Sequence, residues 1–432
     1  MKAAKKKGLP KSCVRWTDPL VNAGTAILAY ILFRNADISN TALALIVCIA
    51  VTLAVGAVEI RRAPWLRKPR PNISLELAAR RALIKWAGVM AGLACILVAW
   101  AMLPEYRQIG YHPLFEAMHM VLPYVPFVAA GLLVFTEWRM GPLQDHSWHM
   151  GQLALGRWQE VDWSAVRNGL LGWLVRGFFL PLNFCALVTF IGRFRGMEAD
   201  IFNSPWPQAH GFIVLMISAL LAAAIVPGYF FGARLAGTDI RKVDHSWFGW
   251  AVTMACYPPL SGAVFLQWLD FSPSGDGPFW SLPWYETLKG FPALVWVLGA
   301  IILLIELIHY WGESVFGLRA SNLSNRGIIT NGPYRYCKHP VYFIKCVGWL
   351  MWLPFLSGET FWDGIRLTIL WACVCGIYYM RCWIEEKLLS DDKDYVAYAL
   401  WMDKNGWFSK LNKYLPFLSY EWKLKRWKAQ GA

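Results

Sequence analysis

The sequence predicts an all-α polytopic membrane protein of about ten transmembrane helices with both termini in the cytoplasm. Three observations predict it. Hydrophobic residues make up 57% of the 432 residues and charged residues 16%, well below the share of charge in soluble domains. The apolar residues come in runs near the ~20 residues that cross a bilayer. The 42 Lys and Arg are also unevenly placed.

Candidate spans are read at 19–33, 41–58, 82–103, 114–135, 170–192, 211–231, 247–269, 291–311, 340–357 and 361–383. With the N-terminus inside, the loops on the opposite side carry five basic residues (Arg34, Arg107, Arg193, Arg195 and Lys289), and most of the others fall on the N-terminal side. That asymmetry is the positive-inside pattern. It accounts for the formal charge of +14 as topology, with attraction to anionic membrane lipids added, and no nucleic-acid partner is expected. The 26 Trp and 17 Tyr suit many helix ends at headgroup level. No signal-peptide pattern opens the chain. Ten scattered Cys with no C-x-x-C pair read as buried thiols, with neither a disulfide framework nor a metal site.

Residues 1–18 form a basic arm and 19–280 an apolar bundle of unassigned role. Two connectors stand out in that bundle, the Pro-rich cationic loop 59–81 and the Trp-rich loop 136–168, which suits the membrane surface. Asp-His-Ser-Trp occurs twice, at 145–148 and 244–247. Each copy reads as a capped helix start, with Asp as N-cap, or as one of two headgroup ligands, His146 and His245. His146 and His149 lack the third ligand that a metal site needs.

Polar groups inside a span are expensive and raise a functional hypothesis first. Glu306, His309 and Glu313 follow the spacing i, i+3, i+7 and share one face at the inner end of span 291–311. The loop TNGPYRYCKHPVY (330–342) follows at that leaflet. The last span returns there to end in Arg381-Cys382-Trp383-Ile384-Glu385-Glu386. Taken singly, His339-Pro340-x-Tyr342 also describes a helix start with Pro at its first turn, and Arg381 with Glu385 an i, i+4 ion pair.

The segment 290–420 resembles the isoprenylcysteine carboxyl methyltransferase and phospholipid methyltransferase superfamily of integral membrane enzymes. Gly332, Tyr334, His339, Pro340 and Tyr342 match its first motif. Arg381, Glu385 and Glu386 match its Arg-x-x-x-Glu-Glu helix end, and Tyr395, Tyr398 and Leu415-Pro416-Phe417 follow in order. Order and spacing together make the match specific, where each short motif alone is weak. Lys338 stands where the family carries Arg and so lacks the planar fork. Ile344 stands where it tends to carry Gly, and Trp383 where some isoprenylcysteine enzymes carry Arg.

The resemblance implies an S-adenosylmethionine-dependent methyltransferase acting on a lipidic or small apolar acceptor, open to the cytoplasm, in a membrane that the style of the chain places as a bacterial inner membrane. Glu385 and Glu386 suit the amine and ribose of the cofactor, and Lys338 or Arg381 its carboxylate. Tyr334, His339, Pro340 and Tyr342 resemble cofactor-lining residues. Glu306 or His309 is the candidate base if the acceptor loses a proton; a helix–helix hydrogen bond is the plainer role for both. Two other readings stay open. Sterol reductases share His-Pro-x-Tyr and use NADPH, but lack the Arg-x-x-x-Glu-Glu run. A lipid-binding or transport protein with a degenerate core would bind without transferring a methyl group. The segment 421–432 reads as a basic tail.

Overall fold

The computed structural model describes residues 8–197, 205–271, 283–356 and 358–430. The chain folds as α1 (Asp18–Phe33), α2 (Asn40–Arg62), α3 (Leu75–Met102), α4 (His112–Val121), α5 (Val125–Met140), α6 (His146–Ala154), α7 (Trp163–Met197), α8 (Trp206–Phe230), α9 (Trp247–Met254), α10 (Leu260–Ala263), α11 (Pro283–Leu288), α12 (Pro292–Ser314), α13 (Pro340–Leu350), α14 (Phe361–Leu389), α15 (Lys393–Asn405) and α16 (Tyr420–Ala429). Among the described residues the sheet is a single two-residue pair. In it β1 (Lys242–Val243) lies antiparallel to β2 (Ser324–Asn325), with Lys242 opposite Asn325.

Local chemistry sets the helix starts. Ser39 and Ser74 accept from the backbone of Ala42 and Leu77, both at 3.1 Å, and cap α2 and α3. Thr360 and Asp363 form a reciprocal capping box on α14. Both Asp-His-Ser-Trp copies open helices, by different residues. Asp145 accepts from Trp148 N at 3.1 Å, whereas Ser246 caps α9 through Gly249 N and Asp244 turns back to Ser246 N at 2.7 Å.

Among the described residues six helices are long and apolar enough to cross a membrane, namely α2, α3, α7, α8, α12 and α14, and the bent pair α4–α5 makes a seventh if counted as one span. This corrects the expectation of about ten. The run 19–33 forms the shorter apolar helix α1. The run 247–269 breaks between α9 and α10 at Cys256-Tyr257-Pro258-Pro259, where two prolines remove backbone donors. The run 340–357 stops at Leu350, and Pro354 follows a left-handed Leu353 (φ 58°). An average over apolar residues passes across such breaks because it weighs composition, not donors.

Glycines let the bundle close. A Cβ on Gly151 of α6 would fall 1.9 Å from Ile84 O on α3, and one on Gly88 2.5 Å from Gly151 N. The two backbones therefore touch directly, as small residues permit between membrane helices. Flanking this crossing, Lys85 pairs with Glu137 and with Asp145, each at 2.7 Å, and Arg81 with Glu137 at 2.9 Å. Gly151→Ala forces the crossing apart. We expect a loss of about 1–3 kcal/mol, in the range of overpacking, read as a lower melting temperature of the detergent-solubilised protein.

The described parts of the arm and of the tail are not free appendages. The arm bonds to the segment before the 332–339 loop, Cys13 N donating to Ile328 O at 3.0 Å, Thr330 Oγ1 to Pro10 O and Asn331 Nδ2 to Val14 O, both at 2.7 Å. The segment read as a basic tail is α16, with Tyr420, Lys423 and Trp427 buried. Both ends therefore pack against one end of the helical bundle, the end that holds the 332–339 loop.

Candidate functional site

The C-terminal ends of α12 and α14 and the N-terminal end of α13 bring the sequence motifs together. Gly332 opens the connecting turn at φ +57°, a conformation natural to glycine. Tyr398 of α15 fixes the turn from behind, its hydroxyl donating to Tyr334 O at 2.6 Å and Cys337 O at 3.3 Å. His339 is the N-cap residue of α13 and buried Pro340 its first residue. This is the arrangement in which Pro loses no hydrogen bond, so Pro340 shapes the turn.

Glu386, fully buried, is the hub of the cluster. Its Oε1 faces His339 Nε2 and Lys338 Nζ, each at 3.2 Å, and its Oε2 faces Lys423 Nζ at 2.8 Å. Lys338 also pairs with Asp403 at 2.9 Å and donates to Leu418 O at 3.3 Å. Burial opposes charge on Lys338; Glu386 and Asp403 outweigh it and hold the ammonium above its ordinary value. Lys338 and Glu386, which the resemblance assigns to the carboxylate and to the amine or ribose of a cofactor, pair with each other within a packed network, and Glu386 also faces His339.

Arg381 and Glu385 have the opposite character. Arg381 is 5% exposed, yet among the described residues its hydrogen bond goes to a neutral amide, Nη2 to Asn322 Oδ1 at 2.7 Å, and it forms no ion pair. The i, i+4 pair with Glu385 therefore does not form. The guanidinium lies over the rings of Tyr342, Tyr257 and Tyr378, at 4.7, 5.4 and 5.5 Å from their centroids. Arg381, Glu385, Tyr342, Asn322 and Asp244 line one cleft with an enclosed volume of about 40 Å³. His339 borders it, its Nδ1 3.6 Å from Glu385 Oε2 and its ring stacked on Tyr342 with centroids 5.9 Å apart. Such a cleft, with a buried cation on one wall and a half-exposed carboxylate on another, suits a small zwitterion.

Tyr334 stands behind this wall and does not line the cleft; its ring meets Phe316 edge-on at 5.4 Å. Glu306 and His309 lie apart, in a row with Glu313 and Lys345. His309 Nδ1 is 3.4 Å from Glu306, Nε2 is 3.1 Å from Glu313, and Lys345 Nζ is 2.7 Å from Glu313.

Burial disfavours a charged His339, but hydrogen bonds and the charges of Glu385 and Glu386 outweigh it and raise the imidazole above its ordinary value. The bound proton therefore stabilises the fold fully below about pH 6.5, the unfolded value, and that contribution is lost as pH rises through the raised folded value. We expect the melting temperature of the wild type to fall over that window more steeply than that of His339→Gln, measured by thermal scans across pH.

Sequence reasoning passed over Asn322 and Lys423, and read Asp244 only as a helix cap. For Lys423 a signal existed: Tyr420, Lys423, Leu424 and Trp427 follow the i, i+3, i+4, i+7 stripe of a helix that packs, and a Lys within it needs a buried acid. Asn322 and Asp244 reach the cleft through the β1–β2 pairing, a long-range contact that no local pattern announces. Asp244 belongs to the N-terminal 280 residues, so the site draws on both parts of the chain. Set against protein-family models, curated proteins and solved structures, the chain matches none of them.

Proposed function

We propose that the protein is an S-adenosylmethionine-dependent methyltransferase of the membrane, acting on a lipidic or small apolar acceptor, with its cleft and both termini on the cytoplasmic side. The observation that carries this reading is the convergence of two motifs on one cleft. His339 and Tyr342 meet Arg381 and Glu385 across it, and Arg381 keeps a charge with no ion-pair partner among the described residues.

The donor set fits the amino acid end of the cofactor. Arg381 suits the carboxylate through a bidentate contact, Glu385 accepts from the amine, and Asn322 fixes the guanidinium. The space fits that end alone. About 40 Å³ takes a group of carboxylate size, whereas sites for whole ligands enclose about 300–1,000 Å³, so the nucleoside belongs outward of the enclosed part. When bound, the cofactor supplies an electrophilic methyl group on a sulfonium. The chain aligns the partners and excludes water, which suffices for an in-line displacement. Glu386, with Lys338 and Lys423, positions His339.

The reading is tested by irradiating the protein with methyl-labelled S-adenosylmethionine and mapping the label. The expected result is label on peptides spanning 334–342 or 381–388, reduced by unlabelled cofactor and not by NADPH. Protection by NADPH alone would favour a reductase. Label distributed at random over the chain would contradict the reading.

A further inference from the structure

The row on α12 is a further concentration of ionisable groups, apart from the cleft and its network. Glu306 lies eight residues before the last residue of α12, about 12 Å along the axis, and its side chain is 31% exposed on a helix whose surroundings are apolar. His309 and Glu313 are more enclosed, at 15% and 19%, and Lys345 is 23% exposed. Exposure thus falls from Glu306 to His309, and the row ends on α13 at Lys345. Lys345 lies three residues beyond Tyr342, on the helix face that borders the cleft. Each neighbour is within hydrogen-bond reach of the next, at 3.4, 3.1 and 2.7 Å.

The imidazole is the informative member. It places one ring nitrogen on each carboxylate, Nδ1 on Glu306 and Nε2 on Glu313. Both carboxylates belong to its own helix, at i−3 and i+4, and an imidazole bonded at both nitrogens can take a proton at one and give it up at the other. The other titratable groups around the row are His210 and Tyr229 of α8, Tyr310 of α12, whose hydroxyl donates to Pro19 O, Cys346 of α13, and Cys256, Tyr257, Tyr334 and Arg381 towards the cleft. His210 is 1% exposed. It packs edge-on to Trp206, whose indole covers Gly299, two turns outward of Glu306.

We propose that Glu306, His309, Glu313 and Lys345 form a proton relay running from the lipid-exposed flank of α12 to the α13 face beside the cleft. A proton taken up on the Glu306 carboxylate passes to His309 Nδ1. The proton on Nε2 passes to Glu313, and from there to Lys345 once its ammonium has given a proton to a base in the cleft. One proton leaves for each that enters, and the reverse sequence carries a proton outward from the cleft. The relay stands on this geometry; its use in removing an acceptor's proton rests on the methyltransferase reading.

The test uses the full-length protein in phosphatidylcholine vesicles and dicyclohexylcarbodiimide, an apolar reagent that modifies protonated carboxyl groups from the lipid phase. Modified peptides are mapped by mass spectrometry at several pH values. Glu306 is expected to be modified in the wild type, several-fold less as pH rises, with the dependence shifted in His309→Gln. A Glu306 that stays unmodified at every pH, or is modified to the same extent throughout, overturns the relay. The wild-type titration decides this even if the variant fails to fold, and it is independent of S-adenosylmethionine binding.

Discussion

Replacing Glu386 by leucine lowers the melting temperature more than any other single change in the C-terminal third. The substitution leaves Lys423, which is 2% exposed, without a counter-ion, and strips His339 and Lys338 of a shared acceptor. Breaking a buried pair by removing one partner costs about 3–5 kcal/mol, because the remaining charge stays desolvated. Lys338 keeps Asp403, so the uncompensated charge is chiefly that of Lys423. A double-mutant cycle isolates that share. Glu386→Leu combined with Lys423→Met loses less than the sum of the two single changes, by about 0.5–3 kcal/mol, the range for residues in direct contact. Thermal scans of the four proteins in detergent measure it, and strict additivity would show that the pair is not coupled.

Arg381→Met behaves in the opposite way. Its guanidinium meets aromatic rings and an amide and no carboxylate among the described residues, so no buried anion is orphaned when it is removed. The melting temperature moves much less than in Glu386→Leu. Binding of S-adenosylmethionine weakens by about 100-fold, near 2.7 kcal/mol, because the cofactor's carboxylate then has no desolvated cation to meet. Calorimetry and thermal scans on the same preparations separate the two effects. A large loss of stability with unchanged binding would make Arg381 a structural residue.

The sequence disclosed the composition of the fold and the content of the site more fully than its wiring. Apolar runs marked most of the membrane helices, since that signal is additive along the chain. It failed at Pro258-Pro259 and after Leu350, where backbone hydrogen bonding and not hydropathy ends the helix. The spacing of Glu306, His309 and Glu313 placed them correctly on one face, and the structure joins them by hydrogen bonds. The motifs named Arg381, Glu385 and Glu386 alike, yet only the structure separates their roles, because a carboxylate in a packed network and one in a cleft read identically in one dimension. Lys423 and Asn322 come to the site from α16 and from the segment leading into β2. Their distance along the chain hid the contact, although the stripe on α16 announces that Lys423 is buried.

The most direct test of the central claim is calorimetric titration of S-adenosylmethionine into the detergent-purified wild type and Glu385→Gln. Micromolar binding by the wild type is expected, weakened at least tenfold, about 1.4 kcal/mol, by the loss of the Glu385 carboxylate that lines the cleft with Arg381. Absence of binding by a wild-type protein that melts cooperatively would contradict it.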